Sequence, residues 1–195
     1  MSDTNQFWSD GRMEPKRAFR WILRAPGLGL EEWLIKKVAP RPSWSLTEIK
    51  HNYLNHTFYY PGRVEYDEVT VTVVDSIQPN ATGKLQSLLI KAGYADPGMA
   101  HNEAMTVSKG GMTSNIGLIE IHQLNPDGST AENWELHNTW IKACKYGDLD
   151  YESDDILNIE LTLRYDYFRI GSQSGTALSD VNSALVSVGL TPYSG

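Results

Sequence analysis

The stretch from residue 159 to 167 constrains this chain most: Ile159, Leu161, Leu163, Tyr165 and Tyr167 alternate with Glu160, Thr162, Arg164 and Asp166. A period of two puts the apolar set on one face of an extended segment and the polar set on the other, so it reads as a long strand with one buried face. The run EVTVTVV repeats the pattern through Val69, Val71 and Val73, whose β-branched side chains favour a pleated surface over a helix. Further strands are predicted over residues 18–24, with Phe19, Trp21 and Leu23 on one face, and over 32–38, 43–50, 52–59, 116–124 and 134–143. Pro61-Gly62 and Asn125-Pro126-Asp127-Gly128 carry turn chemistry and read as hairpin connections.

The period changes in the middle of the chain. Leu85, Leu88, Leu89 and Ala92 follow helical spacing, with Asn80 and Thr82 as candidate caps and Gly93 as the stop. A shorter helix is expected near the C-terminus, capped by Ser179, with Val181, Ala184, Leu185 and Val188 as its stripe and Gly189 at its end. Residues 93–113 form a long glycine-rich connection of the kind that a partner orders. The expected fold is therefore mainly β, seven or eight strands around one helix in a β-sandwich or barrel. An N-terminal arm (1–16), one β-domain (17–170) and a C-terminal extension (171–195) starting in the GSQSG linker make up the chain.

Charge and motif chemistry exclude several functions. The 195 residues carry a formal charge of −7, distributed unevenly: residues 1–63 hold ten Lys+Arg against six Asp+Glu, and the remainder seven against eighteen. Net acidity argues against tight DNA binding, which rests on clustered cations. No run approaches the roughly 18 apolar residues of a membrane span, and the N-terminal sequence lacks the apolar core of a signal peptide, which predicts a cytosol-like compartment. A single cysteine, Cys144, leaves no internal disulfide and reads as a small buried hydrophobe. The acidic run Asp148, Asp150, Glu152, Asp154, Asp155 and Glu160 opens like a calcium loop, but Ser153 stands where such a loop needs Gly and Ile159 where it needs Glu. Gly27-Leu28-Gly29-Leu30 lacks the third glycine of a dinucleotide fingerprint, and Leu85 follows Gly83-Lys84 where a phosphate loop needs Ser or Thr. His122 and His137 could meet across paired strands, where a polar pair is the ordinary outcome. No nucleophile motif occurs, so no catalytic, cofactor or metal site is assigned. What remains distinctive is aromatic: six Trp and ten Tyr, many at strand ends and hairpins.

Two blocks carry a resemblance. The run GRVEYDEVTVTVVDSIQPNATGKLQSLLIKAGY, residues 62–94, resembles the strand-to-helix segment of tail tube proteins from T4-like contractile-tailed bacteriophages. The run WELHNTWIKACKYGDLDYESDDILNIELTLRYDYFRI, residues 134–170, is similar to the same family's strand, acidic turn and final strand. The resemblance implies a fold of two packed antiparallel sheets with one flanking α-helix, a β-sandwich or barrel shared with the tubes of type VI secretion and contractile injection systems. It also implies a non-enzymatic virion protein whose hexameric rings stack into a tube that passes DNA to the host. Implied partners are further copies of the chain, a tail sheath protein outside, and baseplate and tail terminator proteins at the ends, all assembled in the host cytoplasm. A tube-initiating baseplate protein and an injection-system tube protein are the related alternatives.

Edge strands are expected to join neighbouring subunits, with residues 69–74 as a candidate edge. Trp44, Tyr53, Tyr59 and Tyr60, in an aromatic hairpin, and His101 and Met105, in the long loop, are candidate contacts between rings. Glu65, Asp67, Glu160 and Asp166 are candidates for an acidic lumen lining, since a wall that attracted phosphates would retard DNA. A different class, a β-sandwich enzyme or binding module with residues 93–113 as a lid and His101 and Glu103 in its pocket, would be told apart by remaining monomeric or dimeric.

Overall fold

A computed structural model describes residues 15–96, 98, 106–171 and 186. Among residues 15–96 and 106–171, ten strands and two α-helices succeed one another: β1 (Trp21–Arg24), β2 (Ile35–Ala39), β3 (Trp44–Tyr53), β4 (His56–Tyr66), β5 (Val69–Val74), α1 (Ala81–Lys91), α2 (Lys109–Ile116), β6 (Ile119–Leu124), β7 (Thr130–His137), β8 (Trp140–Tyr146), β9 (Asn158–Arg164) and β10 (Tyr167–Gly171). Four strands make a first sheet in the order β1-β6-β7-β10, four make a second in the order β2-β5-β9-β8, and β3 and β4 pair only with each other. All pairings are antiparallel.

Alternation decides the core. Val69, Val71 and Val73 of β5 face Leu163, Leu161 and Ile159 of β9 in register, and all six are fully buried. Leu23, Ile119, Ile121 and Leu136 project from the first sheet into the same cluster, and Leu85, Leu88, Met112 and Ile116 join it from the helices. Burial of this kind is worth about 25 cal/mol per Å² of apolar surface and is what holds the two sheets together. The expected helix is α1, capped by Asn80, whose side chain accepts from Gly83 N at 2.8 Å.

Several expectations are corrected. A second helix, α2, occupies part of the 93–113 connection and its margin, capped by Ser108 accepting from Gly111 N at 3.0 Å. Gly111 allows α2 to lie on the end of α1, because a Cβ there would stand 2.8 Å from the Ala92 carbonyl oxygen. The strand expected over 134–143 is two strands in different sheets, broken where Asn138 takes φ 55° and Thr139 is buried. The long strand through Tyr167 likewise passes from the second sheet to the first at Tyr165-Asp166. Residues 32–34 are a 3₁₀ turn rather than strand. The segment 69–74 is no edge: β5 lies between β2 and β9, and the second sheet's edges are β2 and β8. Asn125 to Ser129 does form the expected hairpin turn, closed by Gly128 N to Asn125 O at 3.0 Å. The C-terminal helix over 179–189 lies outside the described residues except at Val186, and so do most of the terminal arm and extension.

Candidate assembly surfaces

The β3–β4 hairpin stands apart from both sheets. Its strands, 10 and 11 residues long, pair from Trp44↔Tyr66 to Tyr53↔His56, with a turn at Leu54-Asn55. Pro61-Gly62 is therefore inside a strand, not at a turn. It forms a bulge opposite Thr47, whose Oγ1 accepts from Arg63 N at 2.8 Å. A Cβ on Gly62 would come within 2.3 Å of that hydroxyl, so the bulge admits only glycine. The turn itself holds Leu54 at φ 50°, a left-handed conformation costly for Leu, with its side chain 86% exposed.

Both faces of this ribbon carry exposed apolar side chains among polar ones. Cross-strand pairs Ile49↔Tyr60 and His51↔Phe58, with Tyr53, share one face, while Trp44, Leu46, Val64 and Tyr59 lie on the other. Trp44, Tyr53, Tyr59 and Tyr60, the four hairpin residues expected to contact another ring, are all more than half exposed. At its base the ribbon is anchored: Tyr66 packs edge-on against Phe168 at 5.4 Å, and Ser43 Oγ donates to Asp67 Oδ2 at 2.8 Å. An isolated two-stranded ribbon is marginal in water, and this one exposes the side chains that would otherwise stabilise it. His101 and Met105, with Glu103, lie outside the described residues.

The second sheet presents a contrasting surface. Its core face is Val and Leu; its other face carries Lys37, Thr70, Thr72, Thr162, Glu160 and Lys145, small or polar and accessible. Among the described residues no element pairs with the outer edge of β2 or of β8.

The four candidate lumen residues do not share one surface. Glu160 stands on the open face of the second sheet, opposite Lys145 and Thr72. Asp67 is engaged at the base of the hairpin. Glu65 and Asp166 line a groove of about 910 Å³ between the hairpin base, α2 and the β8–β9 pair. There Lys109 Nζ donates to both Asp166 oxygens at 2.6 and 2.7 Å, and Asn138 Nδ2 donates at 2.9 Å. Those donors, the Lys109 ammonium first and the Asn138 amide second, hold the Asp166 carboxyl below the usual carboxylate value.

His122 and His137 do not meet. His122 lies opposite Asn133 and contacts Glu120 Oε2 at 3.1 Å, while His137 pairs with Tyr167 and stacks on its ring at 4.6 Å. The outer face of the first sheet instead holds a row that the sequence reading missed, Arg24–Glu120–Glu135–Arg169 across four strands. The period-two polar positions of IEIHQL and NWELH contained that signal, but only strand register reveals which charges become neighbours. Cys144 is half-buried on β8, where burial raises its thiol pKa. No helix among the described residues is long and apolar enough to cross a membrane.

Comparison with known proteins identifies the fold and the family that carry these surfaces. Among solved structures, the chain is similar to the tube-terminating cap of the anti-feeding prophage, at 18% identity and TM-score 0.58 over 82% of this chain and 93% of that one. The PVC sheath–tube complex of an extracellular contractile injection system, in its extended state, matches at 17% identity and TM-score 0.57 over 88% and 99%. The six-fold symmetrised anti-feeding prophage baseplate matches at 14% and 0.55 over 82% and 97%. At such identities the likeness speaks for the fold. No curated protein sequence matches the chain. The family model "T4-like virus tail tube protein gp19" matches residues 43–169, from the start of the hairpin into β10. With about two thirds of its length matched, the chain belongs to the T4-like virus tail tube protein gp19 family, a family of structural tube proteins.

Proposed function

We propose that the protein forms hexameric rings that stack head-to-tail into the inner tube of a contractile phage tail, through which DNA reaches the host. The observation that carries this reading is the β3–β4 hairpin: a ribbon outside both sheets, with large exposed apolar side chains on both faces, belonging to a chain of the tail tube family. Such a ribbon is stabilised when another subunit covers it. Heterologous contacts that close by rotation give rings, and those that do not close give filaments. Rings would form through the open edges β2 and β8, joining six second sheets into one barrel. Stacking would use the hairpin, with Trp44, Tyr53, Tyr59 and Tyr60, and the connection that includes His101 and Met105, as contacts.

In that arrangement the open face of the second sheet lines the lumen, which places Glu160 and the threonines toward the DNA. A wall of neutral hydroxyls and mixed charges lets a polyanion slide, whereas repeated cations would hold it. Sheath protein would surround the tube, with baseplate and terminator proteins at its ends, and assembly would take place in the host cytoplasm. The role is structural, with no catalytic step and no cofactor.

Electron microscopy and native mass measurement of the purified protein test the reading. Hexamers, with or without filaments, are expected. A protein that stays monomeric at every concentration and salt, or assembled tubes that bind DNA tightly at physiological salt, would overturn it.

A further inference from the structure

The two open edges of the second sheet differ in character. At the β8 end, residues 147–157 form an exposed loop that presents Leu149, Tyr151 and Ile156 beside Asp148 and Asp155, over a hollow of about 720 Å³. At the β2 end stand Trp33, 69% exposed, and the exposed ammonium groups of Lys36 and Lys37. The nearby acids on that side are already engaged: Arg24 Nε donates to Glu32 at 3.2 Å, and Trp33 Nε1 donates to Glu31 at 2.6 Å. Lys36 reaches only Asn158 Oδ1, at 3.5 Å.

Register places these features at one level. Ile35 of β2, Val73, Ile159 and Tyr146 of β8 run straight across the sheet, so the lysines and the loop occupy the same end of it. The strands alternate in direction across the four, so β8 of one copy and β2 of the next would pair antiparallel, continuing the sheet. With no offset, Lys37 would meet the neighbour's Lys145, since both lie level with Thr72 and Glu160. A slide of about two residues toward the loop keeps every side chain on its proper face and removes that repulsion. The same slide carries both lysines to the acids and Trp33 to the apolar side chains.

We infer that residues 147–157 of each subunit clasp the β2 edge of a second copy, with Asp148 and Asp155 taking Lys36 and Lys37, and Leu149, Tyr151 and Ile156 covering Trp33. The inference rests on ring formation as proposed above and adds which edge meets which, in what direction and at what offset. Opposite charge at one end of each edge makes the contact one-way: acid loops repel each other, as do lysine edges, so a two-fold pairing is disfavoured and a ring is favoured.

Two variants test the clasp, Lys36→Glu/Lys37→Glu and Asp148→Lys/Asp155→Lys, each checked for an unchanged thermal transition. Each alone puts like charges at both proposed contacts and should need at least about tenfold more protein for half-assembly than the wild type, an effect that weakens in high salt. A one-to-one mixture should assemble again, since alternating copies restore opposite charges at every junction and a six-membered ring closes with an even number. Wild-type-like assembly of either variant alone, or a mixture that stays apart while the wild type forms rings, would overturn the clasp and leave ring formation standing. A wild type that never assembles removes both.

Discussion

The second sheet and the β3–β4 hairpin use the same kinds of residue to opposite ends. In β5 and β9 the apolar side chains occupy one face only, and Val71 and Leu161 reach zero exposure within a single chain. In the hairpin the apolar side chains occupy both faces, and Ile49 and Tyr60, directly paired, remain 58% and 54% exposed. One region finishes its burial on folding; the other leaves it unfinished within the single chain. Strand content therefore says little about purpose here, whereas the number of apolar faces says much.

Substitutions should separate the two regions. Leu161→Ala removes a fully buried side chain and should cost about 3 kcal/mol of folding stability, read by chemical denaturation, because the cavity it leaves is walled by two sheets. A loss below about 1 kcal/mol would mean that this core is looser than its burial implies. Gly62→Ala forces a methyl into Thr47 and should distort the bulge at a cost of about 1–3 kcal/mol, concentrated in the hairpin. Hydrogen exchange should report faster opening of β3 and β4 with the second sheet unchanged; uniform loosening would show that the hairpin is not a separate unit.

Phe58→Ala and Tyr60→Ala should change folding stability by no more than about 0.5 kcal/mol, since both side chains are half exposed. The same variants should abolish filaments in electron microscopy while hexamers persist. Filaments of normal length would free the hairpin from any part in stacking.

A modest effect is expected of the electrostatic tie at the corner of the fold. Asp166→Asn should cost about 0.5–1 kcal/mol, the range of a solvent-screened ion pair. Because the folded carboxyl titrates below its unfolded value, that contribution is present above about pH 4 and disappears as pH falls through the folded value. Denaturation of wild type and variant should therefore converge in acid; parallel curves down to low pH would assign the loss to the Asn138 contact instead.

What the sequence disclosed followed periodicity. The segments of β5, β9 and α1 are clear because one face of each is uniformly apolar and their caps or flanks are orthodox. The hairpin was harder to delimit, since Pro61-Gly62 imitates a turn while the real turn, Leu54-Asn55, lacks the usual glycine. The helix α2 was hidden by Gly110 and Gly111, poor helix formers, of which Gly111 stands where α2 closes on α1. Of the surface chemistry, the exposed aromatics of β3 and β4 were visible as composition. The lumen candidates were scattered because single-strand alternation assigns sides but not sheets.

The corner where β7 gives way to β8 lies beside the one where β9 gives way to β10, tied by Asp166 N to His137 O at 3.1 Å and by Asn138 to Asp166. At this point the chain passes between the sheets twice, once in each direction. Sliding one sheet over the other therefore strains two lengths of covalent backbone as well as the apolar packing between them. A wall built from such units would be stiff in shear, and force applied to its outer surface would reach the inner one through bonded chain.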